Sequence, residues 1–339
     1  MTEIERTLAE IKDSLQKSAI IAGTSNYTQS PAARSIFAPE NLDPVIKLIA
    51  PTATPVRSLF PRTKGFGQAA AWKKMTTALN PGARGTGANP GGPTGTGLTV
   101  GFADGGQPSS SAISFTTVTA AYKNLGVDVE VGRQLIASAR GYQEVRDEMV
   151  RIKTLELMLG EEDMILNGDL SVVAAEFDGL AKTLTTNSGS LSLLTASGIG
   201  SQLQTPYWSY GGNIQTLICN PRQVRALADD LQGSGSIQRI VMDNQGQATG
   251  GVHLAKVVNP INGSLIDVVA SRYAGGNAYL LTITMPSGEN AIEMEDLEAM
   301  SVYEPATANH SVISRIYETS VLKVIYEPYS VKITGLATS

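Results

Sequence analysis

Side chains suited to catalysis are few and scattered in this sequence. Only two histidines occur, His253 and His310. Neither has a second His or Cys at metal-ligand spacing, so each reads as a packing or surface imidazole. The single cysteine, Cys219, ends the apolar run Thr216-Leu217-Ile218-Cys219, where a thiol behaves as a small buried hydrophobe; no intrachain disulfide is possible. A phosphate-binding P-loop needs Gly, four residues, then Gly-Lys-Ser/Thr, so that backbone N–H groups and a lysine converge on the anion. The glycine-rich tract from Asn80 to Pro108 contains no Gly-Lys pair. Gly95-Thr96-Gly97-Leu98-Thr99-Val100 also fails as a dinucleotide fingerprint, because Val100 stands where the third glycine belongs. Gly233-Ser234-Gly235-Ser236 lies in a polar linker with no strand before it, which excludes a nucleophile elbow. Glu161-Glu162-Asp163 sits at the end of a helical pattern and reads as a solvated carboxylate run, not a cation site. No catalytic residue, cofactor-binding residue or metal ligand is assigned, and a nucleotide-binding or hydrolytic enzyme is the disfavoured alternative class.

Composition points the same way. The chain has 339 residues, of which 42% are hydrophobic, enough for a sizeable core, while charged residues make up only 17%. A net charge of −5 gives the chain as a whole no electrostatic reason to coat nucleic acid, so any nucleic-acid contact is expected to be local. No signal-peptide pattern opens the chain and no run of 18 or more apolar residues occurs, so neither secretion nor a membrane span is expected.

Near the start of the chain, Ile4, Leu8, Ile11 and Leu15 form one stripe of a short amphipathic helix. Pro31, Pro39, Pro44, Pro51, Pro55 and Pro61 then forbid a long helix, and residues 20–64 read as an extended arm. Fully extended at about 3.3 Å per residue, an arm of roughly forty residues spans over 100 Å. Phe66 to Met75 and Ala112 to Tyr122 read as strands flanking the glycine-rich tract, which makes a long hairpin with a core-poor tip. A lone hairpin is at best marginally stable in water and must lie on another surface. Val127 to Val131 alternates as a strand. From Tyr142 to Leu166 a long helix follows, with Val145, Met149, Ile152, Leu155 and Leu159 as its expected inward stripe and Gly168 as a left-handed cap. Residues 199–290 read as a separate α/β unit. It holds a strand at Gln215–Cys219, a helix begun by Asn220-Pro221 with Val224, Leu227 and Leu231 inward, and strands at 252–258, 264–270 and 278–284. Ser311 to Val324 and Tyr329 to Ile333 return to strand, interrupted at Pro328.

This order of parts resembles the major capsid proteins of tailed bacteriophages with the Hong Kong 97-type fold. The most specific stretch is Glu161-Glu162-Asp163-Met164-Ile165-Leu166-Asn167-Gly168-Asp169 followed by Phe177-Asp178-Gly179-Leu180; a second is the ending Tyr326-Glu327-Pro328-Tyr329-Ser330-Val331-Lys332-Ile333-Thr334-Gly335. The resemblance implies an α+β fold with an N-terminal helix and extended arm (1–64), an extended hairpin loop (65–125), a peripheral domain of spine helix and β-structure (126–198 and 291–339) and an axial domain (199–290). It further implies a non-enzymatic subunit that self-assembles, as hexamers and pentamers, into the icosahedral or prolate head shell around a double-stranded DNA genome. Portal protein and scaffolding or decoration proteins are its implied partners, with the virion as its location and the host cytoplasm as its place of assembly. Many relatives carry a large N-terminal scaffolding region; only a short helix precedes the arm here, so scaffolding is expected from a separate protein or not at all. An encapsulin-like nanocompartment is the alternative within the same fold. Some relatives join Lys to Asn by an isopeptide bond, for which Lys73 or Lys74 with Asn309 are candidates, but no motif fixes the register and no cross-link is expected.

Charge is segregated along the chain. From Pro44 to Ala103 there is no acidic residue, while Lys47, Arg57, Arg62, Lys64, Lys73, Lys74 and Arg84 are basic; from Tyr273 to Ser314 there is no Lys or Arg, while Glu289, Glu293, Glu295, Asp296, Glu298 and Glu304 are acidic. The expectation is a head-to-tail contact in which Arg57, Arg62, Lys64, Lys73, Lys74 and Arg84 of one subunit meet Glu289, Glu293, Glu295, Asp296 and Glu298 of the next. Exposed pairs contribute only about 0.2–1 kcal/mol each, so they would set register while apolar burial supplies affinity. Reversing Lys73 and Lys74 to Glu together is expected to impair particle formation, scored by electron microscopy, while circular dichroism shows a folded subunit.

Overall fold

The alternating, β-branched run Ser311-Val312-Ile313-Ser314-Arg315-Ile316 continues to Val324 as one 14-residue strand, and the rest of the fold is arranged around it. The computed structural model describes residues 54–75, 102–107, 115–139, 144–233, 241–242, 248–249, 254–285, 287–306 and 310–338. The expected helix at Ile4–Leu15, the arm up to residue 53, most of the hairpin tip, Arg84, His253 and Asn309 lie outside the described residues.

In chain order the strands are β1 (Arg62–Lys64), β2 (Ala69–Met75), β3 (Phe115–Ala121), β4 (Lys123–Gly132), β5 (Ser188–Ser190), β6 (Thr216–Cys219), β7 (Val241–Met242), β8 (Ala248–Thr249), β9 (Lys256–Val258), β10 (Leu265–Ala270), β11 (Ala278–Leu281), β12 (Ile292–Tyr303), β13 (Ser311–Val324) and β14 (Val331–Thr334). The α-helices are α1 (Arg133–Ala139), α2 (Val145–Asn167), α3 (Leu180–Thr183), α4 (Ala196–Thr205) and α5 (Pro221–Gly233).

Two sheets carry two cores. The first, in the order β1-β12-β13-β4, packs under α2 with Val129, Leu157, Ile165, Ile292, Met294 and Ile316 among its buried side chains. The second, in the order β5-β14-β11-β6-β10-β9, encloses Ile199, Leu203, Leu217, Leu227, Ile266, Leu280 and Ile333 with α4 and α5. Helix α5 begins as its sequence dictates: Pro221 occupies the first turn and the Asn220 side chain accepts the Arg222 N–H at 3.0 Å. Cys219 is fully buried in β6 and burial pushes its thiol up to about 12, which makes it inert.

The structure corrects several expectations. Ser188–Ser190 and Val331–Thr334, expected in the peripheral domain, belong to the sheet of the 199–290 unit. The turn at Glu327–Tyr329 redirects the chain so that Val331 and Ile333 join Ala278 and Leu280 in the second core. Arg62–Lys64, expected in the arm, is an edge strand pairing parallel with β12, and Lys123–Leu125, expected in the hairpin, belongs to β4. Strand β12 is not among the strands expected from the sequence, because its carboxylates are disfavoured in sheets and the alternation of Ile292 and Met294 with Glu293 and Glu295 is short. Along α2 the buried residues are Leu157, Glu161, Glu162, Ile165 and Leu166, while Met149 of the expected stripe is exposed. At 3.6 residues per turn the expected stripe and Leu157 with Glu161 lie about half a turn apart.

Gly168 is not a left-handed cap, since its φ is −53°. Its role is steric. The Gly168 N–H donates to the Met164 carbonyl at 2.9 Å and the Gly179 N–H donates to the Gly168 carbonyl at 2.8 Å, which closes the loop 169–178 at its neck. A Cβ on Gly168 would collide with the Phe177 carbonyl and lie 2.6 Å from the Met164 oxygen; on Gly179 it would lie 2.6 Å from that same oxygen. Phe177 and Leu180, buried just beyond, then plug the first core. Gly179→Ala is expected to destabilise the subunit by about 1–3 kcal/mol, the usual cost of overpacking against backbone, read as a lowered denaturant midpoint with an unchanged slope.

Candidate assembly site

Glu161 and Glu162 follow one another on α2, so their side chains leave the helix about 100° apart. Both are buried, at 2% and 1% exposure. The reading of Glu161-Glu162 as a solvated run is therefore overturned; only Asp163 is exposed, accepting from the Asn167 amide at 2.8 Å. Glu161 faces the sheet. It pairs with Arg57 through Oε2 and with Arg62 through Oε1. The same guanidiniums reach β13 and β12: Arg62 Nη1 lies 2.9 Å from Glu318 Oε1 and 3.1 Å from Asp296 Oδ2, and Arg57 Nη2 lies 3.3 Å from Glu318 Oε2. Glu162 faces the other way, accepting the Val56 N–H at 3.3 Å and the Ser271 hydroxyl at 2.9 Å. Val56 and Phe60 are buried in the first core beside this cluster. The end of the arm is thereby fixed to its own subunit by ions, by backbone pairing and by two apolar plugs.

Burial and the neighbouring Glu318 charge push the Glu161 carboxyl up to about 7 against the pull of Arg62 and Arg57. Burial also raises Asp296 and Glu162. Burial works to raise Glu318 as well, but hydrogen bonds from Arg62 and Glu161 hold it below the ordinary carboxylate value. Burial would lower the Arg62 guanidinium; Glu161, Glu318 and Asp296 around it keep it above its usual value.

The acidic strand is consumed within the chain on its other residues too. Lys323 Nζ lies 2.9 Å from Glu293 and 3.3 Å from Glu295, and the Tyr122 hydroxyl donates to Glu295. Glu298 accepts from the Tyr317 hydroxyl. Lys323 also stands 5.9 Å from the Trp72 ring centroid, which ties the base of the β2–β3 hairpin to this sheet. Lys74 lies 3.9 Å from Glu327 and 6.0 Å from the Tyr326 ring. Of the residues expected at a contact between subunits, then, Arg57, Arg62, Lys74, Glu293, Glu295, Asp296 and Glu298 have partners in their own chain. Lys64, Lys73 and Glu289 are exposed. Glu161 and Glu318 went unrecognised as site residues. The available signal was a pair of carboxylates embedded in apolar sequence, Leu159 to Leu166.

Among the described residues no group of three or more His, Cys, Asp or Glu is placed to hold a metal ion, and no helix is long and apolar enough to cross a membrane. A family model described as SU10 major capsid protein matches residues 19–337. The chain belongs to the SU10 major capsid protein family. It is a phage head-shell protein, with a structural role in the capsid. Solved structures agree on the fold: a chain of the holo-SrpI encapsulin complex from Synechococcus elongatus PCC 7942 is similar at a TM-score of 0.59 and 11% identity, covering 91% of this chain and 95% of that one. The capsid of the native GTA particle gives 0.58 at 11% identity over 94% and 99% of the two chains, and Gordonia phage Cozz gives 0.57 at 12% over 92% and 98%. No curated protein matches the sequence. Encapsulin shares the fold, but the family match is to capsid proteins, so the nanocompartment alternative loses ground.

Removing one partner from the buried cluster leaves an uncompensated charge under α2. Arg62→Ala in this head-shell protein is expected to cost about 3–5 kcal/mol, whereas Arg315→Ala, which breaks an exposed pair with Asp128, should leave the denaturation midpoint close to that of the unaltered protein. Chemical denaturation of the two variants side by side checks the contrast.

Proposed function

We propose that this capsid protein forms hexamers and pentamers that tile an icosahedral or prolate shell around a double-stranded DNA genome, and that it catalyses no reaction. Assembly takes place in the host cytoplasm with a portal protein, and with scaffolding or decoration proteins where those are used. The family match over residues 19–337 carries the reading. The hairpin supports it. Strand β3 is exposed along most of its length, and Phe115 at its outer end is 64% exposed, with Phe66 at 86% near the base of β2. A two-stranded ribbon of that kind is marginal alone, and an aromatic surface of that exposure fits a protein contact.

The segregated charges retain a role through the residues that the subunit leaves free to meet a neighbour. Lys64 and Lys73 on the basic side and Glu289 on the acidic side are proposed to set the register of that contact, with Arg84 in the hairpin as a further candidate. Electron microscopy of the purified chain is expected to show closed particles hundreds of ångströms across. Lys64→Glu combined with Lys73→Glu is expected to lower particle yield several-fold without changing the melting curve of the unassembled subunit. Discrete small oligomers from the unaltered chain would overturn the shell, and unchanged yield from the double variant would overturn the register contact alone.

A further inference from the structure

The β2–β3 ribbon does not sit flush on the body of the subunit. Between them lies a cleft of about 280 Å³, walled by Trp72 and Val118 from the ribbon, Leu170 and Phe177 from the loop 169–178, and Leu322 and Val324 from β13. Lys74, Lys123, Asp178 and Glu327 also line it, two cations against two carboxylates. These charges are already engaged: Lys74 lies 3.9 Å from Glu327, Lys123 Nζ donates to the Ala174 carbonyl at 2.6 Å, and Asp178 accepts the Leu170 N–H at 3.0 Å. The cleft therefore suits an uncharged, apolar occupant. Ligand clefts run from roughly 300 to 1,000 Å³, so this one is of a size for one or two side chains. Its loop wall continues as Leu170-Ser171-Val172-Val173-Ala174-Ala175, which carries no charge and leaves Val172 78% exposed.

The ribbon has two faces. Along β3, Val118 and Ala120 are half-buried toward the body, whereas Phe115, Thr117, Thr119 and Ala121 are exposed, as the alternation of a strand requires. Phe115 thus leaves the ribbon on the face away from the cleft, and at about 3.3 Å per residue it stands roughly 10 Å along the strand from Val118. While the ribbon is paired from Ala69 with Ala121 to Met75 with Phe115, this ring cannot enter the cleft of its own chain. Among the described residues, Phe60 and Phe177 are buried, and the exposed phenylalanines, Phe66, Phe102 and Phe115, all fall within the hairpin region.

We infer that the cleft at the base of the ribbon receives Phe115 from the ribbon of a second copy. The inference rests on the shell reading above and names the place where the hairpin lands. Each copy then offers a knob at the outer end of its ribbon and a hole at the base, so the contact is head-to-tail, the kind that closes into rings. An aromatic anchor in an apolar pocket is the usual energetic centre of such an interface. Lys73 pairs across the ribbon with Thr117 on the same outward face as Phe115, so docking brings its charge to the same neighbour.

Disulfide trapping tests the contact, because the native thiol, Cys219, is fully buried. Phe115→Cys combined with Leu170→Cys should give covalent dimers and higher multimers on a denaturing gel after mild oxidation of assembled particles, and each single variant should give none. Should the double variant not assemble, the two single variants mixed before assembly carry the same test. Phe115→Asp should lower particle yield several-fold, and Phe115→Leu should retain it. Particles without covalent multimers, a bond formed only within one chain, or full yield from Phe115→Asp would each overturn the docking while leaving the shell intact. Absence of particles from the unaltered chain would overturn the shell reading itself, and the docking with it.

Discussion

Two adjacent buried glutamates near the end of α2, a helix that is otherwise largely half-buried or exposed, join the parts of the described fold. Glu161 binds the arginines of the arm against β12 and β13, and Glu162 binds the arm's backbone and the Ser271 hydroxyl that opens the turn leading into β11. The helix, the first sheet, the second sheet's approach and the arm therefore meet at two carboxylates. Burying charge is expensive, and such a cluster is tolerated because each oxygen finds a donor or a proton. Its use is geometric: an arginine fork accepts few alternative docking arrangements, whereas an apolar plug accepts several.

The same helix end explains the glycines that follow. After Leu166 the chain must leave the helix, make the loop 169–178 and return within hydrogen-bond distance of where it left. Gly168 and Gly179 stand where any side chain would strike backbone, and the return delivers Phe177 and Leu180 into the first core. The stretch from Glu161 to Leu180 is thus one device with three parts: an ionic socket, a closed neck and an apolar plug.

Within the assembled shell, the distribution of charge has a different meaning from the one its segregation along the chain suggests. Most of the acidic run lies on β12, beside the basic arm in the same sheet, so much of the attraction operates within one subunit and orders the arm's end. The hairpin keeps Phe66, Lys73 and Phe115 exposed, and the proposed contact between subunits draws on these residues.

The sequence by itself determined the class of the fold and the order of its parts. The 14-residue β-branched strand, the helix begun by Asn220-Pro221, the buried thiol and the long helix ending near Asn167 follow from local periodicity and propensity, which neighbouring residues supply. Tertiary structure alone decided which face of α2 is inward, because the inward face carries carboxylates at the place where the arm docks, and apolar periodicity points away from them. It alone decided that Val331–Thr334 leaves the sheet of β13 for the second core, since a three-residue turn sets that direction and no pattern in either strand records it. It also decided that Arg57 and Arg62 spend their charge on residues about a hundred to two hundred and sixty positions away, for pairing across such separations is a property of the packed chain and leaves no trace in the spacing of the residues that make it.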